Sequence, residues 1–314
     1  MNYSMNMTNN KPVFDFSAEK IHVDALQTLL DWVRWSASMM EQAGVFFGHG
    51  TETAWDEAVA LVLQVLHLPI EPDSLVFQAR VTANESQRLL SALSARIEQR
   101  VPLPYITGRA WLGGLEFLVS RDVLIPRSPF MEWIERGFAP WITPESVARV
   151  LEIGTGSGCL AIAAAYAFED AMVDAVDISP AALAIATQNC QAHGMEERVQ
   201  LIESDVFSAV EGRYDLIISN PPYVSKAEME ALPPEYGHEP ELALTTGDQG
   251  LAIVARILAD AARHLTPQGI LVVEVGFSQA QLMARYPDYP FTWLIQSRGG
   301  QGLFMLTQEQ LSKL

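Results

Sequence analysis

From Val147 onward, apolar runs of strand length alternate with helical stretches, and this alternation constrains the fold more than any other feature of the chain. It is the pattern of parallel strands joined by crossover helices. Val147–Ile153 reads as the first strand and Cys159–Phe168 as the helix behind it. Ala171–Val176 reads as the second strand, followed by a helix over Pro180–His193 with proline at its start and Gly194 after its end. Val199–Glu203 and Tyr214–Ser219 are the next two strands. Leu251–Leu265 is a helix ended by Pro267 and Gly269, and Ile270–Val275 a fifth buried strand. Phe291–Ser297 and Leu303–Leu306 flank Arg298-Gly299-Gly300-Gln301-Gly302 and read as a final hairpin. The expected class is α/β, Rossmann-like, with a mostly parallel sheet.

A different pattern precedes it. Residues 18–100 carry apolar residues at three and four spacing and few strand signals, which predicts a small helical domain. Ala54–Leu68 and Glu85–Ile97 are its clearest amphipathic helices, with Thr53 and Asn84 as N-caps. Pro102, Pro104 and Gly108 then punctuate the chain, and Leu112–Val119 with Val123–Ile125 suggests a hairpin, so that 101–126 links the helical block to a domain over 127–314. Residues 1–17 read as a flexible tail.

The loop after the first strand is Glu152-Ile153-Gly154-Thr155-Gly156-Ser157-Gly158. Its glycines permit a tight turn with close approach of backbone to a ligand. A dinucleotide fingerprint needs its third glycine one residue later, where Cys159 stands, so NAD and FAD are disfavoured. Asp177 ends the second strand, 23 residues after Gly154, and an acid there is placed to bind ribose hydroxyls. Asp205, after the third strand, could accept from an adenine amino group with Val206 and Phe207 against the ring. Helix capping by Asp177 and a turn role for Asp205 are the plainer readings. Acids at the carboxyl ends of successive strands nevertheless fit the place where open α/β sheets bind ligands.

Asn220-Pro221-Pro222-Tyr223 follows the fourth strand. A planar NH2 group is a poor nucleophile because its lone pair is conjugated, so a site that alkylates one must accept both hydrogens and aim the nitrogen. The Asn220 side-chain oxygen and the Pro221 carbonyl are two such acceptors, since proline keeps its acceptor while lacking a donor. The fixed proline φ angles hold them, and Tyr223 can lie against a flat amide or base. The alternative is a proline-rich turn. Pro221–Gln249 has no clear period, and a loop of that length suggests a cover over substrate. None of the six histidines is placed as a general base; His49, in Gly48-His49-Gly50, reads as a loop residue.

This ordered set resembles the class I S-adenosylmethionine-dependent methyltransferases, with a seven-stranded sheet, and among them the subgroup that methylates planar amino groups. The resemblance implies S-adenosylmethionine as cofactor, no metal, and cofactor contacts from Glu152, Gly154, Thr155, Gly156, Ser157, Gly158, Asp177, Ile178, Asp205, Val206, Phe207 and Asn220. Asn220, Pro221, Pro222 and Tyr223 would be catalytic. Pro104-Tyr105-Ile106-Thr107-Gly108, Val123-Leu124-Ile125-Pro126-Arg127 and Glu239-Pro240 are similar to segments of the HemK family of protein glutamine methyltransferases, over roughly residues 101–306. Arg127 and Tyr105 are then candidates for substrate positioning.

The continuation Arg127-Ser128-Pro129 resembles the branch acting on the third protein of the large ribosomal subunit more than the branch acting on release factors. Adenine-N6 methylation of DNA is a further alternative, as is a cofactor-binding assembly factor without catalysis. The net charge of −18 favours a basic protein partner over a phosphate backbone. No apolar run reaches the length of a membrane span, and the first 20 residues lack a signal-peptide pattern, so a cytoplasmic location is expected. Cys159 and Cys190 lack metal-ligand spacing and read as core thiols.

Overall fold

Seven strands form one sheet in the order β5-β4-β3-β6-β7-β9-β8, where β3 is Arg149–Ile153, β4 Met172–Asp177, β5 Val199–Glu203, β6 Tyr214–Ser219, β7 Leu265–Glu274, β8 Thr292–Trp293 and β9 Leu303–Thr307. The computed structural model describes Phe16 and residues 20–245, 250–297 and 299–313. β3 to β7 pair in parallel, whereas β9 runs antiparallel to both β7 and β8. Residues alternate between the two faces. Val150, Leu216 and Ile218 pack with Leu160, Ala161 and Ala164 of the helix Cys159–Ala167. Leu151, Ile153 and Ile217 pack with Val254, Ile257 and Leu258 of the helix Ala252–His264. Both faces are covered, which is why the strands read as nearly continuous apolar runs.

Strand order reverses between β3 and β6. The chain moves outward through β4 and β5, then returns to place β6 on the other side of β3. Ligands of open parallel sheets bind at such a switch point, beyond the carboxyl ends of the strands. The register pairs Ile153 with Ser219, so the loops starting at Gly154 and Asn220 leave the sheet side by side. The Ser219 hydroxyl donates to the Ile153 carbonyl at 2.8 Å and ties the two ends together.

The chain divides into two compact units, Met1–Thr107 and Gly108–Leu314. In the second unit a hairpin precedes the sheet: β1, Arg109–Leu112, pairs with β2, Leu115–Leu118. This differs from the strands expected at 112–119 and 123–125 and from a linking segment over 101–126. Gly113 and Gly114, both at positive φ, form the two-residue turn that closes the hairpin within the first expected strand. Residues 103–107 form a short helix instead. The strand expected at Phe291–Ser297 shrinks to Thr292–Trp293, whereas the last one, expected at Leu303–Leu306, is found at Leu303–Thr307. Within Pro221–Gln249 the chain forms short helices at Lys226–Met229 and Glu241–Leu244 and a 3-10 turn at Pro234–His238; 246–249 lie outside the described residues.

The N-terminal unit is built on helices Leu29–Gln42, Ala54–Val65 and Ala83–Glu98 around Trp32, Val33, Met40, Leu61, Leu89 and Leu93. Thr53 caps the second helix as expected, but Thr82, not Asn84, caps the third, because Glu85 reciprocates from the first turn to complete a capping box. Of the expected tail, only Phe16 is described, and it is buried beside Trp35. Among the described residues no helix is long and apolar enough to cross a membrane.

Inside this unit Arg96 and Glu57 form a buried ion pair, and Thr51 donates to the second Glu57 oxygen at 2.7 Å. Removing one partner of such a pair strands the other charge, which costs roughly 3–5 kcal/mol. Arg96→Met is therefore expected to lower the melting temperature of the N-terminal unit by several degrees, measured by circular dichroism. An unchanged melt would mean that water reaches Glu57.

Candidate active site

The switch point opens into two adjoining cavities, both lined by Asn220, Pro221 and Pro222. The first is walled by residues 152–157, Asp177, Ile178, Asp205 and Val206. Tyr223, Tyr236, Glu274 and Phe277 belong only to the second. The Asn220 motif therefore stands at the junction.

In the first cavity, Gly154 and Gly156 adopt φ of 76° and 55°. A β-carbon on either would meet no protein atom within 4 Å, so the loop presents bare backbone to the space it encloses. The Gly154 and Thr155 amides both donate to the Val176 carbonyl, which holds the turn against β4. Asp177 accepts from the Gly156 amide at 2.8 Å and from the Ser179 amide at 2.9 Å, one per oxygen. A carboxylate has further lone pairs for a hydroxyl. Burial pushes the Asp177 carboxyl up from its ordinary range, against these bonds. Glu152 is buried, and its Oε2 accepts from the Thr155 hydroxyl at 2.5 Å and the Ala161 amide at 2.9 Å. Burial pushes its pKa up to about 8. Asn189 supports the loop from behind, donating to the Ser157 carbonyl at 2.8 Å and to the Leu118 carbonyl at 3.0 Å while accepting from the Leu118 amide.

Asp205 sits at the rim, exposed and paired with Arg256 at 2.8 Å; this bond holds its carboxyl below the usual range. Val206 takes φ of 56°, an uncommon conformation for a β-branched residue. The Ser204 hydroxyl holds it there, donating to the Val206 carbonyl and accepting from the Ala209 amide.

Three expected site residues lie elsewhere. Phe207 is stacked on His264 at 4.5 Å within the core, so only Val206 of that pair faces the cavity. Gly158 caps the following helix, where an added β-carbon would press on Ala186, so it shapes the loop from behind. Tyr105 belongs to the short helix Leu103–Thr107 of the N-terminal unit, whereas every residue lining the two cavities belongs to the other unit.

The second cavity rests on carboxylates. Glu239 is fully buried in its side chain and receives both Arg127 nitrogens at 2.5 Å, a bidentate pair, plus the Ile125 amide at 3.1 Å. The guanidinium also lies 5.3 Å over the Tyr236 ring. Arg127 thus fastens the segment after Asn220 to the chain entering from Ile125. Tyr223 is gripped from four sides. Its hydroxyl donates to Glu274 at 3.2 Å, and its carbonyl accepts from Ser278 at 3.0 Å. A β-carbon at Gly276 would fall 2.5 Å from its ring, and one at Gly250 would fall 2.1 Å from its carbonyl oxygen. Sequence reasoning missed Glu274, Ser278 and the role of Glu239. A carboxylate closing the apolar run Ile270–Val273 was the available signal for the first; the buried pairing of Glu239 left none.

Among the residues lining the first cavity, Arg127 is the one cation, and it is held by Glu239. Asp122, Glu152, Asp177 and Asp205 are acids. This lining disfavours a phosphorylated nucleotide and suits a nucleoside bearing hydroxyls and positive charge. Among the described residues no cluster of His, Cys, Asp and Glu is arranged to hold a metal ion.

The sheet and its switch-point loops define a class I-type methyltransferase fold, and residues 138–232 match the family model described as the methyltransferase small domain. The ribosomal protein uL3 glutamine methyltransferase of Francisella tularensis subsp. tularensis is 45% identical over 293 residues, covering 93% of each chain. Its counterpart in Neisseria gonorrhoeae is 46% identical over 287 residues, 91% of this chain and 96% of the other. The chain belongs to the family of ribosomal protein uL3 glutamine methyltransferases.

Breaking the Arg127 clamp should loosen the segment it holds. Arg127→Ala is expected to accelerate limited proteolysis between residues 224 and 245 severalfold, with the rest of the unit still resistant. Equal resistance in variant and wild type would show that the Glu239 pair does not anchor this segment.

Proposed function

We propose that this chain transfers a methyl group from S-adenosylmethionine to the side-chain amide nitrogen of a glutamine in ribosomal protein uL3. The observation that carries the reading is the position of Asn220-Pro221 at the junction of the two cavities. The relatives support the substrate, and the net charge of −18 suits a basic partner.

S-adenosylmethionine supplies an electrophilic methyl on a sulfonium centre. The protein's part is position and field. Gly154 and Gly156 would offer backbone to the cofactor, Asp177 would accept from ribose hydroxyls, and Ile178, Val206 and Asp205, which line the same cavity, would hold the base. Glu152, buried one residue before the end of β3, holds the loop through the Thr155 hydroxyl and the Ala161 amide. On the substrate side, the Asn220 Oδ1 and the Pro221 carbonyl accept the two amide hydrogens, and the Tyr223 ring forms a flat wall. As the nitrogen gains a methyl it gains positive charge, which both acceptors stabilise more strongly than the neutral amide. The released proton leaves to solvent.

Asn220→Ala removes one acceptor and should lower kcat by about 100-fold or more, while the Kd for S-adenosylhomocysteine, measured by calorimetry, changes little. Transfer of labelled methyl to purified uL3 checks the first quantity, and peptide mass spectrometry checks that a glutamine is modified. Normal turnover in the variant would remove Asn220 from the mechanism. Label in a release factor or in adenine-containing DNA, with none in uL3, would overturn the substrate assignment.

A further inference from the structure

One buried carboxyl in the second cavity takes no part in the mechanism above. Glu274 closes β7, and the register pairs the preceding Val273 with Ser219, so Glu274 and Asn220 leave neighbouring strands at the same level. It is buried at the end of an apolar run, where an acid is costly unless its oxygens are satisfied. Its hydrogen-bond partners are two hydroxyls. Ser128 donates to Oε2 at 2.6 Å and Tyr223 donates to Oε1 at 3.2 Å. Both donors line the second cavity: Ser128, which also lines the first, follows the Arg127 clamp, and Tyr223 ends the Asn220 motif.

Resting on the methyl-transfer reading, we propose that Glu274 is a positioning residue for the reaction, whose carboxylate acts as a double acceptor that sets the spacing between the Tyr223 ring and the Arg127-Ser128 segment across the target amide. It acts through those two residues. Among the described residues the ring has no other polar tether, since the remaining grip on Tyr223 is steric or through its backbone.

The device requires the ionised form. A carboxylate offers each hydroxyl a lone pair on a separate oxygen. The protonated acid turns one oxygen into a donor and loses an arm. Among the described residues, the titratable and charged groups facing it are Tyr223 and Arg127, the latter paired with Glu239 and with Tyr236 lying across the guanidinium; its cross-strand neighbour on β9 is the apolar Leu303. Burial pushes the Glu274 pKa up to about 7, against the bonds from Ser128 and Tyr223 and the Arg127 charge. Burial and then the Glu274 charge push the Tyr223 phenol well up, so it remains a donor. The arm is therefore intact above that pH and lost as pH falls through it.

The test compares wild type, Glu274→Gln, Tyr223→Phe and Ser128→Ala in methyl transfer to uL3 across about pH 6 to 9, with S-adenosylhomocysteine affinity measured in parallel. Wild type should show an ascending limb of kcat/KM near pH 7, as the Glu274 pKa requires. Glu274→Gln should lower kcat by about tenfold and lose that limb, with cofactor-product affinity within about twofold. Tyr223→Phe should cost less in the Glu274→Gln background than alone, because the two act as a unit. Wild-type kcat and an unchanged limb in Glu274→Gln would overturn the proposal. Should that variant fail to fold, Tyr223→Phe and Ser128→Ala decide, since each leaves the carboxylate in place; wild-type kcat in both would overturn it. A wild type that binds S-adenosylhomocysteine but methylates no uL3 would overturn the underlying reading, and this proposal with it.

Discussion

The parallel pairing of β3 with β6 is the constraint on which the rest of the site depends. Because Ile153 lies opposite Ser219, the glycine loop and the Asn220 motif emerge at one level on the two sides of a single strand interface. A slip in this register would turn the strands' apolar sets to the wrong faces, so the two packed cores fix it. The chemistry inherits that precision from the sheet. The first cavity forms on the β3, β4 and β5 side, the second on the β6 and β7 side, and the two meet at Asn220, Pro221 and Pro222.

The two sides are built differently. On the side proposed to hold the cofactor, backbone does most of the work: positive-φ glycines, amides donating to Asp177 and a strained Val206 leave little for side chains to specify. On the side proposed for the substrate the frame is made of buried carboxylates. Glu239 takes a bidentate arginine, and Glu274 takes two hydroxyls. A buried acid with one partner removed is strongly destabilised, whereas a fully satisfied one defines a single geometry. Acids of this kind are poor sources of stability and good sources of definition, which fits a wall that must present a ring and two acceptors to a weak nucleophile.

Much of this was legible in the sequence because strong local signals and the global fold agree. Pro180–His193, Val199–Glu203 and Tyr214–Ser219 were bounded to the residue by Pro180, Gly194 and the flanking polar residues. The glycine loop and the Asn220 motif could be placed at strand ends for the same reason. The failures have physical causes. Gly113-Gly114 was read through as strand interior, although two adjacent glycines between apolar residues are a hairpin turn. Phe207 was assigned to the cofactor because it adjoins Val206, but the positive φ at Val206 turns the chain and sends Phe207 into the core. The Arg127–Glu239 pair spans 112 positions and leaves no periodic trace. Only packing reveals which of many arginines and glutamates are buried together.

A crystal structure of the enzyme with S-adenosylhomocysteine and a glutamine-bearing uL3 segment tests the central claim most directly. The account predicts the glutamine amide in the second cavity, its two hydrogens directed to the Asn220 Oδ1 and the Pro221 carbonyl, its nitrogen facing the sulfur across the junction and Tyr223 flat beside it. A glutamine bound away from Asn220, or a cofactor product lying outside the cavity walled by residues 152–157 and Asp177, would contradict it.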